Sequence, residues 1–504
     1  MSTSDYLIIG AGVNGTSIAS TLISLGHTVT LLDRSSDGHV APDGASHDLN
    51  KIVRADYTDA NYCSLAKEAI SRWRADPVLA KFYHEVGVLF RSSDKGQVFG
   101  GEGSAEEYVE AGVRHAHLDK DKHLEVFPAG AGERERAFKL TSDDQLASLL
   151  SGVTGGLGDG LKGMGERQTG YFNPRGGWAE ANNACRALLD HAITRGVAVH
   201  VNARVVSFVY ADSDVSKVTG VRTSDGRTFH ADHIVLAAGA WTNDLLTALL
   251  STSTDVAPSK WMTRPSAQCV AILRVTPSEA ASLRNTPVII NFSSGFYQFE
   301  PTRVGDEWHM KIAYHSNGYL WPRPPVECNG SYPAFEDSIA AHPTGARSIG
   351  DEGTTEDVGY DMASSTIPAS RLSEMLTELA QIYPSLASPN RVVSTRVCWY
   401  SDTLDENWIL DRLSRHPAAQ GRGDNVWVIT GDSGHAYKFL PIIGDLFATI
   451  AGLQDNERDW DLTRFTFEHQ AKLHRDKSEG KKIESADSNR FDGGKEGENA
   501  RARL

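Results

Sequence analysis

The sequence predicts an α/β protein with two interleaved domains, and three patterns along its 504 residues support that prediction. A short apolar run, a glycine-rich turn, a helical segment and a second apolar run follow one another at the N-terminus. Short apolar strands recur at 233–239 and 425–431. Between 265 and 315 the chain carries several short aromatic and β-branched runs, which are typical of the antiparallel sheet of an α+β domain.

The N-terminal unit consists of a strand over 5–10, a helix over 14–25 and a second strand that ends at Asp33. Its turn has the G-x-G-x-x-G spacing of a Rossmann-like dinucleotide site, with Gly10, Gly12 and Gly15. The first glycine permits a tight turn, the second lets the backbone approach a pyrophosphate at the helix N-terminus, and the third lets the helix pack on the strand. Asp33 is placed to accept hydrogen bonds from a ribose diol. The unit predicts dinucleotide binding, with NAD and FAD both open.

The strand at 233–239 helps to choose between these cofactors. It ends in Ala-Ala-Gly and follows a predicted hairpin whose turn contains Asp225 and Gly226. This order resembles that of glutathione-reductase-type flavoproteins, in which the chain returns beside the dinucleotide, and it favours FAD. An ordinary parallel strand has the same local pattern.

Apolar periodicity predicts helices at 60–74, 179–194 and 370–382 and another from about 441, whereas 321–365 has the composition of a loop. Residues after 470 are too polar to bury a core. The predicted division is a discontinuous Rossmann-like FAD-binding domain (1–90, 165–250 and 386–470), a substrate domain (91–164 and 251–385) and a polar, solvated tail (471–504).

Composition argues against several classes of protein. Hydrophobic residues make up 40% and charged residues 23%, as in folded globular chains. The formal net charge is −15, so nucleic acid is not an expected partner. The five cysteines are far apart and form no C-x-x-C pair, which disfavours a disulfide framework and a metal site. No run is apolar and long enough for a bilayer, and no basic leader precedes the first strand, so neither membrane association nor secretion is expected.

Two segments after Asp33 carry a family resemblance. Residues 46–54 read SHDLNKIVR and residues 61–74 read NYCSLAKEAISRWR. Together they resemble the family of fungal fructosyl amino acid oxidases (amadoriases), monomeric sarcosine oxidase and pipecolate oxidase. The resemblance implies that Ser46 and His47 face the cofactor, that Lys51 lies over the flavin ring, and that Arg54 faces the substrate carboxylate. Composition alone also permits a solvated loop.

A further segment that resembles this family surrounds Cys398, where residues 396–411 read RVCWYSDTLDENWILD. Family members join a cysteine in this context to the 8α-methyl group of FAD through a thioether. The resemblance implies that Cys398 is that anchor, and a thiolate is the nucleophile such a bond requires. The alternative for a lone cysteine is a small buried apolar residue.

Residues 430–444 read TGDSGHAYKFLPIIG and are similar to the family's Gly-x-Ser-Gly-His-x-x-Lys segment. There a strand delivers a tight turn beneath the flavin, and backbone amides stabilise negative charge on the reduced ring. The resemblance implies that Lys438 is the second carboxylate ligand, whereas the alternative is a surface lysine. The other residues expected at the cofactor are Val13, Asn14, Arg34, Val205, Gly239, Trp241, Asp432, Gly434, His435 and Ala436.

Strand alternation places Lys311 and His315 on one face of a predicted strand. An inward lysine in an apolar strand needs a partner, and the family uses a lysine on this strand to favour electron transfer to oxygen, a role the resemblance implies for Lys311. His315 stands where amadoriases usually carry an acid for sugar hydroxyls, which puts fructosyl amino acids in doubt. Nearby aromatic residues, Tyr314 among them, indicate an apolar or aromatic substrate side chain.

The expected function is that of an FAD-dependent oxidase of a secondary amine, an N-methyl, cyclic or N-glycated amino acid. Hydride transfer to flavin N5 would give an imine, and O₂ would reoxidise the flavin to give H₂O₂. The alternatives are a tailoring oxidase whose imine is trapped by ring closure, a flavin dehydrogenase and a non-catalytic flavoprotein. The tripeptide Ala502-Arg503-Leu504 matches the peroxisomal address pattern, which makes an import receptor an expected partner.

Overall fold

The computed structural model describes residues 4–36, 40–42, 44–57, 59–92, 138–150, 152–164, 166–211, 214–243, 245–246, 263–315, 367–481 and 483. The predicted loop at 321–365, most of 91–164 and the tripeptide at 502–504 lie outside the described residues. Within the described ranges, none of the helices combines the length and the apolar character needed to cross a bilayer.

The described strands are Ser4–Ile9 (β1), Val29–Leu32 (β2), Asn50–Val53 (β3), Tyr83–His84 (β4), Val88–Ser92 (β5), Phe138–Leu140 (β6), Thr169–Asn173 (β7), Gly177–Glu180 (β8), Ala198–His200 (β9), Val205–Ala211 (β10), Asp214–Thr223 (β11), Thr228–Leu236 (β12), Arg264–Val275 (β13), Val288–Asn291 (β14), Phe296–Gln298 (β15), Thr302–Val304 (β16), Glu307–Tyr314 (β17), Val392–Asp402 (β18), Ile409–Arg412 (β19) and Val426–Thr430 (β20). The described α-helices are Val13–Ser24 (α1), Ala60–Ala75 (α2), Asp143–Leu149 (α3), Ala181–Thr194 (α4), Pro277–Ser282 (α5), Ala369–Ile382 (α6), Ile443–Ile450 (α7) and Phe467–Ser478 (α8).

The first sheet contains the N-terminal unit. Strand β1 lies between β2 and β12 and is parallel to both, and β12 also pairs with β20 in parallel. All four residues of β2 are buried, as expected for a parallel strand covered on both faces. Strands β10 and β11 join β12 in antiparallel order. The predicted βαβ unit and the predicted hairpin are therefore confirmed.

The second sheet has nine described strands, in the order β18-β13-β17-β15-β14-β5-β7-β6, with β16 beside β17. Every pair except β14 with β5 is antiparallel, which confirms the antiparallel sheet predicted between 265 and 315. Strand β13 pairs with β17 and β18, so it aligns Ile272 with Lys311 and Gln268 with Cys398. A small sheet of β3, β8 and β4 contains Lys51.

The domain boundaries stay a prediction, but the sheets show where the chain crosses between layers. Strand β7, which pairs with β5, and strand β18, which pairs with β13, both belong to the second sheet, although the predicted ranges assign both to the FAD-binding domain. Strand β18 ends at Asp402, and the chain then enters β19 and β20 of the first sheet. The segment that carries Cys398 therefore links the two sheets.

The C-terminal helix α8 extends to Ser478, into the part of the chain that composition predicts to be a solvated tail. Phe467 and Gln470 at its start are buried, and most side chains after them are exposed. The side chains of His469 and Gln470 lie 2.6 Å and 2.7 Å from the buried carboxylate of Asp405. Hydrogen bonds to the folded chain therefore fix a helix that has little apolar surface of its own.

Candidate cofactor and substrate site

The turn between β1 and α1 contains glycines for steric reasons. Gly10 has a φ of 109°, and a Cβ atom there would lie 2.4 Å from the carbonyl oxygen of Ala237. A Cβ atom on Gly15 would lie 1.9 Å from the carbonyl oxygen of Gly10. At Gly12 a Cβ atom would make an ordinary contact, 3.5 Å from Ser46 Oγ. Packing of the protein itself thus requires the first and third glycines, whereas the second leaves space at the start of α1.

Asp33 lies directly after β2 and supports the same turn. Its carboxylate accepts hydrogen bonds from the backbone N–H groups of Ala11 and Ser35, both at 2.7 Å. Burial raises the pKa of Asp33, and these two amides offset part of that rise. The carboxylate is held at the wall of a large cavity, where it can accept hydrogen bonds from a ligand.

This larger cavity has a volume of about 1600 Å³, including space open to solvent. The residues predicted at the cofactor that line it are Gly10, Gly12, Val13, Asn14, Asp33, Arg34, Ser46, Lys51, Val205, Gly239, Trp241, Asp432, Gly434 and Ala436. The other residues predicted at the cofactor lie outside its wall, namely Gly15, His47, Cys398, His435 and Lys438. Gly15 serves helix packing, and the backbone oxygen of His47 accepts a hydrogen bond from Arg396.

The donor and acceptor groups of this wall fit FAD. Helix α1 starts at the cavity with Gly12 as its N-cap residue, which provides no side-chain cap, so the positive end of the helix is available to a pyrophosphate. Asp33 provides an acceptor for a ribose diol. The buried Nε1 of Trp241 has no hydrogen-bond partner among the described residues, although it can donate.

Asp432 is an acidic group on the same wall. Its carboxylate accepts a hydrogen bond of 2.9 Å from Asn14 Nδ2, at the start of α1. Burial raises the pKa of Asp432 to about 6; the Asn14 hydrogen bond opposes the rise, and the nearby Asp402 adds to it. Asp432 therefore changes charge in a pH range close to neutral.

A smaller cavity of about 700 Å³ adjoins the larger one. The two share Lys51, Tyr400, Gly434 and Tyr437, so they meet at these residues. Four residues predicted at the site also line the smaller cavity: Arg54, His315, His435 and Lys438. The rest of the described wall consists of Ile52, Phe90, Ile290, Phe292, Gly295, Tyr297 and Phe299. No described residue of this wall is acidic.

Lys438 belongs to a chain of hydrogen bonds in the smaller cavity. Its Nζ donates to the Tyr57 hydroxyl at 2.6 Å and to the His435 carbonyl at 2.9 Å. The Tyr57 hydroxyl lies 3.0 Å from His435 Nδ1, and His435 Nε2 lies 2.9 Å from the Glu406 carbonyl oxygen. Because a carbonyl oxygen only accepts, Nε2 carries the proton and Nδ1 accepts from Tyr57. These contacts fix the direction of the Lys438 ammonium group.

Tyr57 also supports Arg54, the other predicted carboxylate ligand. The buried guanidinium group of Arg54 lies 4.9 Å from the centre of the Tyr57 ring and 5.7 Å from that of Phe90. It donates a hydrogen bond to the backbone oxygen of Asp56. Sequence reasoning missed Tyr57, whose only sequence signal is its position three residues after Arg54.

Lys311, predicted for the oxygen reaction, and Lys51, predicted to lie over the flavin ring, meet at a buried carboxylate. Asp48 Oδ2 lies 2.7 Å from Lys311 Nζ and 2.9 Å from Lys51 Nζ, and Oδ1 lies 3.5 Å from Arg396. Burial raises the pKa of Asp48, but the three cations outweigh it and hold that pKa well below its usual range. Burial lowers the pKa of Lys311 to about 8, although Asp48 opposes the change. Sequence reasoning missed both Asp48 and Arg396.

Lys51 and Lys311 differ in their access to the cavities. Lys51 lines both, whereas Lys311 is completely buried behind it and lines neither. Cys398 is also buried and lines neither cavity, with its Sγ 3.3 Å from Lys51 Nζ. Tyr400, two residues after it on the same face of β18, lines both. The structure thus brings Cys398 to the junction of the cavities but behind their surface.

The structure separates the adjacent residues Tyr314 and His315. His315 lines the smaller cavity, and its ring lies 5.8 Å from that of Tyr400. Tyr314 lies in the opposite core, where its ring is 5.7 Å from that of Phe296, and it lines neither cavity. The structure therefore does not bring Tyr314 to the site as predicted, because successive side chains of a strand point to opposite faces.

A Rossmann-like sheet with a dinucleotide cavity that opens into a cationic, aromatic cavity defines a dinucleotide-dependent enzyme. Residues 5–450 match the FAD dependent oxidoreductase family, and the chain belongs to that family. FAD is its cofactor.

Three proteins illustrate the similarity. L-saccharopine oxidase of Schizosaccharomyces pombe is 29% identical over 461 residues, which are 90% of this chain and 91% of that protein. Monomeric sarcosine oxidase of a Bacillus species is 23% identical over 464 residues, which are 90% of this chain and 94% of that protein. The crystal structure of Amadoriase I, a fructosyl amine:oxygen oxidoreductase of Aspergillus fumigatus, has a TM-score of 0.69 at 23% identity and covers 94% of this chain and 92% of its own. At this level of identity, the structural likeness to Amadoriase I shows the fold alone.

Proposed function

We propose that the protein oxidises the secondary amine of an N-substituted amino acid, with O₂ as the electron acceptor. The observation that carries this proposal is the position of Arg54 and Lys438 in a cavity that opens into the cofactor cavity. The names of the relatives agree with it, since saccharopine and sarcosine are both secondary amines that carry carboxylates. When bound, FAD would supply the two-electron chemistry: the substrate would lose a hydride from the carbon next to the amine nitrogen and a proton from the nitrogen, which gives an imine, and O₂ would be reduced to H₂O₂.

Arg54 and Lys438 are proposed to bind the substrate carboxylate from two directions. Charge-assisted hydrogen bonds from a guanidinium and an ammonium group fix both the position and the orientation of a small acid. Orientation matters because the reacting carbon must be held against the cofactor at the junction of the cavities. The aromatic wall excludes water and favours the uncharged amine, whose lone pair assists the loss of hydride.

Lys51 and Lys311 are proposed to supply positive charge for the reaction with O₂. Reduction of O₂ develops negative charge, and fixed cations in a water-poor site stabilise that charge. Lys51 is the nearer of the two to the cavities, so it contributes directly. His315, which lines the smaller cavity, is proposed as a further catalytic residue on the substrate side.

The wall of the smaller cavity favours one group of substrates. Among its described residues there is no acid, amide or aliphatic hydroxyl to pair with the several hydroxyl groups of a sugar. Its polar side chains are lysine, arginine, histidine and tyrosine, and two of the cations are proposed to bind the carboxylate, so fewer hydrogen-bond partners remain for a row of sugar hydroxyls. We therefore propose an N-methyl or cyclic amino acid with an apolar or aromatic side chain, rather than a fructosyl amino acid. The second candidate function, a tailoring oxidase whose imine is trapped by ring closure, requires such a substrate.

The experiment that tests this function is anaerobic mixing of the FAD-loaded protein with N-methyl, cyclic and fructosyl amino acids, followed by air. We expect bleaching of the flavin by an N-methyl or cyclic aromatic amino acid, and one equivalent of H₂O₂ on return of oxygen. Bleaching without peroxide would indicate a dehydrogenase. No bleaching by any secondary amine would contradict the proposal and favour a non-catalytic flavoprotein.

We also propose that Cys398 anchors FAD through a thioether. Its support is the position of Sγ at the junction of the cavities, 3.3 Å from Lys51 Nζ. After acid precipitation the yellow colour should stay in the pellet of the wild type and move to the supernatant for Cys398→Ser. The buried Cys269→Ser is a matched control that should retain the colour.

Peroxisomal import is a further proposal, supported by the tripeptide at 502–504 where it forms the free C-terminus. A fluorescent protein fused to the N-terminus should collect in peroxisomes, and replacement of Leu504 by Ala should disperse it. Unchanged localisation after that replacement would contradict the proposal.

A further inference from the structure

We infer that Asp48 is a positioning residue for the oxygen reaction, because its carboxylate holds Lys51 and Lys311 together as a pair of cations beside the cofactor cavity. The inference rests on the proposed function, which assigns the reaction with O₂ to these two lysines. Asp48 lines neither cavity, but it affects the charge of the two lysines that are proposed to act in the oxygen reaction.

The geometry gives Asp48 three cationic neighbours. One oxygen, Oδ2, contacts both Lys311 Nζ at 2.7 Å and Lys51 Nζ at 2.9 Å, and the other lies 3.5 Å from Arg396. The backbone oxygen of Asn50 is a second acceptor for Lys311, at 2.6 Å, but it is uncharged. Two buried ammonium groups that share one oxygen repel each other, so the shared carboxylate is what stabilises them as a pair.

The other groups that face Lys311 do not replace this carboxylate. From β15 the rings of Tyr297 and Phe299 lie 5.8 Å and 5.0 Å from its Nζ. From β18 the thiol of Cys398 lies 3.3 Å from Lys51 Nζ, and its influence on Lys311 is smaller than that of Asp48. Aromatic rings attract a cation far less strongly than a carboxylate in hydrogen-bond contact. Among the described groups packed around Lys311, Asp48 is the carboxylate.

The pKa values of the two lysines shift in opposite directions. Burial is the largest influence and lowers the pKa of Lys51, but Asp48, Cys398 and Tyr297 together outweigh it and hold that pKa above its usual range. For the completely buried Lys311 the order is reversed, because burial and the repulsion from Lys51 outweigh Asp48, and its pKa falls to about 8. Lys311 is therefore the member of the pair that loses its proton first as pH rises.

Reoxidation kinetics without substrate test this inference. The FAD-loaded protein is reduced anaerobically with one equivalent of dithionite and mixed with O₂ between pH 6 and pH 10. The wild-type rate should fall as pH rises through about 8, when Lys311 becomes neutral. Asp48→Asn should move the midpoint down by about one pH unit or more, which makes reoxidation about fivefold slower at pH 8. Lys51→Met removes a like charge and should move the midpoint up, whereas Lys311→Met should abolish the step.

A second readout does not depend on turnover. The visible spectrum of the oxidised, FAD-loaded protein is titrated with pH, and the midpoint of its change should shift in the same directions. Asp225→Asn, at an exposed ion pair with Arg227, is a matched control that should leave both midpoints unchanged. Midpoints unchanged in Asp48→Asn would overturn the inference. Should that variant not fold, an unchanged midpoint in Lys51→Met would overturn it instead.

The two proposals fail in different ways. Because dithionite replaces the amine, shifted midpoints with no bleaching by any amine would contradict the proposed substrate and leave the role of Asp48 standing. Peroxide formation from an amine, with midpoints that do not move, would retain the oxidase and exclude Asp48 from it.

Discussion

The two cavities of this protein are built in different ways. The larger is formed mainly where strands of the first sheet end and α1 begins, and its key contacts are made by backbone and by neighbours of the glycine turn. The smaller is formed by side chains from separate segments of the chain: 52–54 at β3 of the small sheet, 290–299 of the second sheet and the turn at 434–438 after β20. The cofactor part of the site therefore depends on local backbone geometry, whereas the substrate part depends on assembly of distant segments. Four experiments test this difference between the cavities: three use substitutions and one uses a pH series.

The largest effect is expected for Gly15→Ala. Its Cβ atom would lie 1.9 Å from a backbone oxygen, so the free energy of unfolding of the apoprotein should fall by about 3 kcal/mol or more. Gly12→Ala should change that free energy by less than about 0.5 kcal/mol and should instead weaken FAD binding at least about tenfold, because its methyl group enters the cavity. Urea unfolding and FAD titration of the apoproteins measure both. Equal destabilisation by the two variants would contradict the distinct roles of these glycines.

Arg54→Met tests the substrate cavity. Loss of a charged hydrogen-bond donor should lower kcat/KM for an amino acid about 100-fold to 1000-fold, equivalent to about 3–4 kcal/mol. The visible spectrum of bound FAD should stay unchanged, because Arg54 lies outside the cofactor cavity. The variant should also lose the preference for the free acid over its methyl ester. Arg415→Met, at an exposed arginine, is the control. A retained preference for the acid would exclude Arg54 from carboxylate binding.

Tyr57→Phe should have a smaller effect on the same cavity. It keeps the ring against Arg54 but removes the hydroxyl that joins Lys438 to His435. One hydrogen bond of this kind contributes about 1–1.5 kcal/mol, so kcat/KM should fall about tenfold, mainly through KM. Steady-state kinetics measure the change. Kinetics identical to the wild type would mean that Lys438 does not depend on Tyr57 for its direction.

The smallest effect concerns pH at the cofactor cavity. Burial sets the pKa of Asp432 at about 6, so this group is neutral below that pH and anionic above it. Since the pyrophosphate of FAD is anionic, the Kd of the apoprotein for FAD should rise a few-fold between pH 5 and pH 7.5. Asp432→Asn should remove that dependence. A fluorescence titration that gives the same slope for both proteins would assign the effect to another group.

The same contrast explains what the sequence could predict. Gly10, Gly15 and Asp33 lie within one βαβ unit, so their spacing alone places them together. Asp48 meets Lys311 across 263 residues, and Tyr57 meets Lys438 across 381 residues, and neither contact leaves a local pattern. The resemblance supplied the cations Lys51, Arg54, Lys311 and Lys438 but not the groups that hold them.

A prediction that depends on strand alternation is sensitive to a single position. His315 reaches the smaller cavity and Tyr314 does not, although both are aromatic and adjacent. Likewise the composition of 471–478 does not predict a helix, whereas the structure has one there, because His469 and Gln470 fix its start through Asp405. Contacts made by polar side chains at an element's end are not visible in its periodicity.

The register of β13 has a consequence for the evolution of this site. Gln268 pairs with Cys398 on one side and Ile272 pairs with Lys311 on the other, so the flavin anchor proposed here and the buried lysine are spaced by four residues of a single strand. Insertion of one residue between positions 268 and 272 would place Gln268 and Ile272 on opposite faces of β13, so the two pairings could be kept only with a bulge. Without such a bulge, this spacing can change only in steps of two residues, about 6.6 Å along the strand.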